Sequence, residues 1–287
     1  MSLPARVHLP TPETSLGCFH ACSMTIAHFS MINGAGPMTL SLAKSYNGKT
    51  DLYERARPLY PSAAITWIDH CVPRLSTLPI VDIGAGTGIL TRQLGALGLP
   101  MIGIEPNSQM LAQARNRDQN ADYRQGSAEE TGLASGSARA IVCGQSFHWF
   151  DTRRAAEEFR RILNVGGPVI LAWNIRSPDH DAFHIAYEAM LAQLFEHYAQ
   201  TLDIDRELED RVNDFYAGPF EERRFANAQQ LGIDEFIDRT LSCSYAALPG
   251  TPEYEAAITA LQALHRQFQV QGRVSLRYST RVVHGFI

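Results

Sequence analysis

Three glycines at alternate positions stand in Val81-Asp82-Ile83-Gly84-Ala85-Gly86-Thr87-Gly88, directly after a short apolar run. Without a Cβ, glycine reaches positive φ at little cost and lets a ligand approach the backbone closely. A helix-forming stretch, Leu90–Leu97, follows, and the free N–H groups of its first turn point toward whatever lies in the loop. Two carboxylates flank the turn: Asp82 just before it and Glu105, seventeen residues after Gly88, at the tip of the next apolar run. His148 is the candidate general base, since it follows a strand-like run at the mouth of a sheet. Tyr46, Tyr53, Phe147 and Trp149 offer aromatic faces to a positive ligand, with core packing as the alternative use of each ring. Arg176 suits a bidentate pair with a carboxylate, and a plain surface role suits it equally.

Such residues need a frame. Leu78–Ile83, Met101–Ile104, Ala138–Cys143 and Pro168–Trp173 are short apolar runs bounded by turn residues. Helical stretches separate them at Leu90–Leu97, Ser108–Arg117 and Arg153–Leu163. Runs without strict alternation predict strands buried on both faces, and strand–helix alternation predicts a parallel sheet. After Trp173 the rhythm changes: Phe183, Tyr187, Met190, Leu191, Leu194 and Tyr198 recur at helical spacing. A highly charged stretch, Leu202–Arg224, reads as solvated helix and loop. Thr251-Pro252 opens a further helix, with Thr as cap and Pro in the first turn, and strand-like Thr240–Tyr245 and Ser279–Phe286 flank it. Residues 175–235 are expected as a helical cap inserted into the main domain.

The ligand follows from the glycine spacing. A dinucleotide fingerprint, G-x-G-x-x-G, needs its third glycine at position 89, which is Ile. The D-x-G-x-G-x-G form present here resembles motif I of class I methyltransferases that use S-adenosylmethionine (SAM). The resemblance implies an α/β fold with a Rossmann-like, seven-stranded, mostly parallel sheet flanked by helices. It also implies SAM as cofactor, held by Asp82, Gly84, Ala85, Gly86 and Gly88, with Glu105 accepting from the ribose hydroxyls and Pro106 and Met110 just beyond. Gly126-Ser127-Ala128-Glu129 stands where these enzymes meet the adenine, with Ser127 in the place often held by Asp. Cys143-Gly144-Gln145-Ser146-Phe147-His148-Trp149-Phe150 closes the fourth strand and adds Gln145 to the cofactor set. Leu163-Asn164-Val165-Gly166-Gly167 is similar to the family's turn before strand five.

Two stretches resemble a small-molecule subgroup that includes trans-aconitate methyltransferase-like proteins. One runs from Ser45-Tyr46-Asn47-Gly48-Lys49 through Tyr53, Arg57-Pro58 and Tyr60-Pro61; the other is Phe147-His148-Trp149-Phe150. Tyr278-Ser279-Thr280-Arg281-Val282 is similar as well. On this reading Tyr46, His148 and Trp149 are the catalytic candidates, and the acceptor is a small molecule methylated on a carboxylate or hydroxyl oxygen. A carboxylate acceptor needs no base, because it is ionised at neutral pH. Two alternatives stand beside it: a SAM-binding module without transfer activity, and an NAD-dependent oxidoreductase.

Composition trims the remaining classes. A net charge of −5 argues against nucleic acid as partner, and the lack of an Asn-Pro-Pro-Tyr-type segment after the fourth strand argues against methylation of adenine or an amide nitrogen. No apolar stretch approaches the roughly 20 residues that cross a bilayer, so no membrane role is expected. Five scattered cysteines suit free thiols in a reducing cytoplasm, and the spacing of Cys18, His20, Cys22 and His28 fits no common zinc pattern, so no metal is expected. Residues 1–37 are expected as a flexible extension, with Met38 opening a domain over 38–287. The oligomeric state leaves no trace in the sequence.

Overall fold

The computed structural model describes residues 50–287 apart from 177–180, 197 and 217. Two helices, α1 (Thr50–Ala56) and α2 (Ser62–Cys71), precede the first strand, β1 (Ile80–Ile83), whose four residues are all buried. Then follow α3 (Ile89–Gly95), β2 (Met101–Glu105), α4 (Ser108–Arg117), β3 (Asp122–Gln125), β4 (Ala140–Gly144), a single 3₁₀ turn at Phe147–Trp149, α5 (Thr152–Ile162) and β5 (Val169–Arg176). The second half comprises α6 (Ala182–Leu194), α7 (Tyr198–Phe215), β6 (Glu221–Leu231), α8 (Ile233–Leu241), α9 (Pro252–Phe268) and β7 (Val274–Gly285).

Seven strands form one sheet in the order β3-β2-β1-β4-β5-β7-β6. All pairings among β1 to β5 are parallel, while β7 lies antiparallel between β5 and β6. The strand order reverses between β1 and β4, and in open α/β sheets ligands bind beyond the carboxyl ends of strands at such a reversal. Register sets the depth of the site: Asp82 pairs with Gly103, and Ile83 with Ile104, so the turn after β1 and the tip of β2 emerge together.

Each face of the sheet has its own apolar layer. Phe159 and Ile162 of α5 join Val212 and Phe215 of α7 on one face; Ala64, Ile65 and Ile68 of α2 join Leu90 and Leu94 of α3 on the other. Burying each large side chain stabilises the fold by about 1.5–3 kcal/mol. Capping fixes where the helices begin: the Asn107 Oδ1 accepts from the backbone of Gln109 and Met110, Asp151 from Arg154, and the Thr251 Oγ1 from Tyr254.

A third apolar core lies beyond the tips of β5 and β6 and the start of β7. It gathers Phe183, Tyr187 and Leu191 of α6, Phe236 of α8 and Leu261 of α9. This core draws on α6, α8 and α9 with Tyr198 at the start of α7, so its helices are not the single segment expected over 175–235. Within that span α7 packs on the sheet, and residues 221–231 form the edge strand β6, paired along its length with β7. The charge-rich sequence Glu-Glu-Arg-Arg conceals this strand because an edge strand with one exposed face carries polar residues, which also block edge-to-edge pairing. Residues 240–245 are the end of α8 and the turns after it, not a strand; Phe236, Thr240 and Leu241 keep helical spacing and are buried. The expectations for 1–37, for Met38, for Cys18, His20, Cys22 and His28, and for Tyr46 lie outside the described residues.

Candidate cofactor and acceptor site

The turn after β1 takes the conformation its glycines allow: φ is +70° at Gly84, +59° at Gly86 and +85° at Gly88. Gly86 forms the apex and donates its N–H to the Glu105 Oε2 at 2.8 Å. The other carboxylate oxygen, Oε1, accepts from the Asn107 N–H at 2.8 Å. Glu105 thus holds the turn in place while each oxygen keeps a lone pair for a ligand hydroxyl. Burial raises the Glu105 carboxyl above the usual range, and the Asn107 and Gly86 N–H groups pull it partly back.

Asp82 is 1% exposed and accepts from the Thr91 hydroxyl through Oδ2 at 2.6 Å. Its Oδ1 is buried with no hydrogen-bond partner among the described residues, and so is the Thr87 Oγ1 in the same turn. Burial foremost, with the nearby Glu105 charge, pushes the Asp82 carboxyl up to about 7 against the opposing Thr91 bonds. A buried polar oxygen left unpaired costs about 1–3 kcal/mol, and a cationic or hydrogen-bonding ligand group would recover that cost.

Residues 127–129 are more committed to the protein than the sequence implies. Ser127 donates its N–H to the Glu130 carbonyl, and its hydroxyl accepts from the Glu130 N–H at 3.2 Å. Ala128 is buried in the main core, and Glu129 accepts from the Asp151 N–H at 2.9 Å. Pro106 is exposed on the rim, whereas Met110 is buried with its sulfur facing Gly86.

After β4 the chain makes a sharp departure. Gln145 has φ +59°, a left-handed conformation rare for a residue with a side chain, and its Nε2 donates to the Asn174 carbonyl at 3.0 Å. Phe147 is fully buried, edge-on to Phe150, Trp173 and Phe215, so its ring belongs to the core and not to the ligand face expected of it. His148 and Trp149 remain partly exposed, with ring centroids 4.5 Å apart. Arg211 of α7 pins this turn by donating to the His148 carbonyl at 2.9 Å and the Phe150 carbonyl at 2.7 Å. Burial first, then the Arg211 and Arg57 charges, lower the His148 imidazole to about 3. It is therefore neutral at physiological pH but a weak proton acceptor, because base strength falls with pKa. Histidine-ring NMR provides the check: the resonance that disappears in His148→Asn should stay constant from pH 8 to pH 5, and a midpoint near 6.5 would contradict this environment.

The segment before β1 is stitched to the same place. Glu54 pairs with Arg92, which also donates to the Thr87 carbonyl, and Tyr60 exchanges two hydrogen bonds with the Gln93 side chain. This docks Tyr53, Arg57 and Tyr60 beside the glycine turn. Arg176 is engaged already, bonded to Glu188 at 2.8 Å and to the Tyr198 hydroxyl at 2.8 Å. Thr87, Thr91, Asn107 and Arg211 escaped the sequence reading. Only Thr91 carried a signal, standing one helical turn after Gly88, where its hydroxyl can reach back to β1.

Comparison with known proteins agrees with this geometry. Residues 81–171, from β1 into β5, match the family model described as a methyltransferase domain. An uncharacterized methyltransferase of Mycobacterium tuberculosis is 36% identical over 135 residues, covering 47% of this chain and 54% of that protein. One of Schizosaccharomyces pombe is 37% identical over 131 residues, covering 45% and 52%. The chain thus spans about half the length of the curated relatives it matches. Among solved structures, one provisionally described as a type II methyltransferase, from Anaeromyxobacter dehalogenans, superposes with TM-score 0.57 at 22% identity, covering 80% of this chain and 97% of that one. Another, provisionally described as a methyltransferase of an antibiotic biosynthesis pathway, from Anabaena variabilis, has TM-score 0.58 at 18% identity, covering 81% and 99%. Sheet order and glycine turn define a Rossmann-like ligand-binding fold. Within that fold, the stretch from β1 into β5 is similar to a methyltransferase domain.

Proposed function

We propose that the chain binds SAM at the turn after β1 and transfers its methyl group to an oxygen of a small-molecule acceptor, by preference a carboxylate. One observation carries the reading: a left-handed glycine turn is held between two buried carboxylates on adjacent strand tips, one with an oxygen that has no partner among the described residues. The Asp82 Oδ1 and the Thr87 hydroxyl suit the charged amino-acid end of the cofactor, Glu105 its ribose, and Met110 and Ala85 its apolar flank. SAM supplies an electrophilic methyl on positive sulfur, and the acceptor oxygen bonds to that carbon as the carbon–sulfur electron pair leaves with sulfur. Residues of this chain orient the partners and exclude water, which in well-oriented cases is worth up to roughly 7–11 kcal/mol.

The preference for a carboxylate follows from His148. A base with a pKa of about 3 draws a proton poorly from a hydroxyl, whereas an ionised carboxylate has no proton to lose. Trp149 and His148 then serve as shape and aromatic surface. The net charge of −5 favours a small metabolite over nucleic acid. Among the described residues no helix is long and apolar enough to cross a membrane, and the free thiols of Cys71, Cys143 and Cys243 suit the cytoplasm.

Asp82 gives the test a pH signature. Its carboxyl ionises with a midpoint of about 7, and only the ionised form attracts a cationic ligand group. SAM affinity should therefore fall toward tenfold per unit as pH drops below 7 and level off above it. The raised value also means that the folded protein binds more protons than the unfolded chain between pH 4 and 7, so this group's contribution to stability declines as pH rises through that window. Calorimetry with SAM and with NAD from pH 6 to 8.5, and S-adenosylhomocysteine (SAH) production over a panel of acids, phenols and amines, check both parts. NAD binding without a SAM response would overturn the cofactor. SAM binding without turnover on any acceptor would make the chain a binding module.

A further inference from the structure

The Tyr60 hydroxyl is a polar group that the fold holds firmly and leaves unpaired. Its residue is 5% exposed, and its ring joins Ala64 and Ile68 of α2 and Leu90 and Leu94 of α3 in the apolar layer on that face of the sheet. The backbone is fixed twice over: the Tyr60 N–H donates to the Gln93 Oε1 at 2.9 Å, and the Tyr60 carbonyl accepts from the Gln93 Nε2 at 2.8 Å. Neither bond involves the phenol oxygen, which has no hydrogen-bond partner among the described residues. Buried hydroxyls are nearly always paired, because an unmade hydrogen bond costs free energy. A rigid, unpaired one therefore points to a ligand.

Gly144, the last residue of β4, locates that oxygen. A Cβ built on Gly144 would stand 2.8 Å from it and 3.0 Å from the Leu90 Cδ2. The missing Cβ is what leaves the hydroxyl its place at the strand tip. Val142 lies opposite Asp82 in the sheet, so Gly144, two residues on, stands level with Gly84, the first glycine of the turn. The oxygen thus lies beside the crevice between β1 and β4, where the strand order reverses and ligands of open α/β sheets bind. Burial foremost, then the Tyr53 and Asp82 charges, raise the Tyr60 phenol well above its ordinary value against the Arg57 charge. It keeps its proton at physiological pH and is a donor there.

We propose that the Tyr60 hydroxyl donates to the carboxylate of the cofactor's amino-acid end, while the Asp82 Oδ1 takes the neighbouring ammonium. The inference rests on the reading of the turn as a SAM site and adds the group that receives the cofactor's negative charge. A carboxylate brought beside Asp82 and Glu105 meets two acidic groups and needs a donor. Arg92, the cation that reaches the turn, is committed to Glu54 and to the Thr87 carbonyl. A neutral phenol also has an advantage over a guanidinium in this place. It holds an anion through a charge-assisted hydrogen bond yet brings no positive charge to repel the sulfonium. Because packing and Gln93 already fix the residue, little ordering is lost when the ligand arrives.

Calorimetric titration of the full chain at pH 8 with SAH and with S-adenosyl-3-thiopropylamine, the same molecule without its carboxylate, tests this. The wild-type chain should prefer SAH at least tenfold. Tyr60→Phe should weaken SAH at least tenfold and change the amine's affinity less than twofold, so that the preference falls by the same factor. Thermal melting supplies the second measurement. Unliganded Tyr60→Phe should melt no lower than the wild type, because the hydroxyl removed has no internal bond to lose. An undiminished preference for SAH in Tyr60→Phe overturns the proposal. Equal weakening of both ligands, or a lower melting temperature of the unliganded variant, would make the hydroxyl a structural group and overturn it as well. A wild-type chain that does not bind SAH would instead overturn the cofactor reading.

Discussion

Glu105→Ala should reduce SAM and SAH affinity by more than a hundredfold and lower the stability of the unliganded chain by about 2–4 kcal/mol. Two backbone donors, Gly86 and Asn107, lose their charged acceptor at once. Hydrogen bonds to charged groups contribute about 1.5–3 kcal/mol each, and a buried donor left unmatched adds its desolvation cost. The apex of the glycine turn then loses its tether, and the ribose loses its acceptors in the same step. Glu105→Gln is no mild substitute: both oxygens accept from N–H groups, so an amide must set its own N–H₂ against one of those donors. A further effect separates electrostatics from simple loosening. Because the Glu105 charge helps to raise Asp82, its removal should move the pH midpoint of residual ligand binding downward from about 7. Urea titration and calorimetry at several pH values give all three readings. Wild-type affinity in Glu105→Ala would remove the ribose role.

What could be read in advance was whatever local chemistry dictates. Buried parallel strands are apolar on both faces, so Leu78–Ile83 and Met101–Ile104 announced β1 and β2 within a residue or two. Asp82, Gly84 and Glu105 were legible because the demands on them are local: positive φ, a close approach, a carboxylate at a strand tip. β6 was not, because half of an edge strand faces water and Glu221–Arg224 satisfy that face with charge. The helical segment expected over 175–235 differs for a related reason. The apolar core beyond the strand tips gathers two separate stretches, α6 and α8–α9, onto Val274, Leu276 and Tyr278 of β7. Tertiary partnership decided the fate of single residues too. Phe147 and His148 are neighbours in sequence, yet one faces Phe215 in the core and the other is partly exposed. Arg211, sixty-three residues away, is what fixes that turn. No pattern within the chain links an α7 arginine to a carbonyl after β4.

Gly84→Ala is expected to destabilise the protein by about 2–4 kcal/mol and to weaken SAM at least thirtyfold, for two separable reasons. The first is conformational: at φ +70° any residue with a Cβ is strained by about 1–2 kcal/mol. The second is steric, since a Cβ built there would lie 2.5 Å from the Ser146 Cβ. Ser146 cannot swing aside, because it is buried and its hydroxyl donates to the Ile83 carbonyl at 2.6 Å. Gly136→Ala provides the comparison: φ there is +63°, but no atom of the described residues lies within 4 Å of the new methyl. It should therefore show the conformational cost alone, about 1–2 kcal/mol, with SAM affinity intact. The double change Gly84→Ala/Ser146→Gly removes the obstructing Cβ and should recover the steric share of the loss, leaving a coupling that a double-mutant cycle can measure. Recovery of ligand affinity in that double variant is the decisive reading, because it would show that the turn binds through its shape and not merely through the stability it lends to β1. Equal losses in Gly84→Ala and Gly136→Ala would mean that the packing of β1 against the turn after β4 plays no part in holding the cofactor.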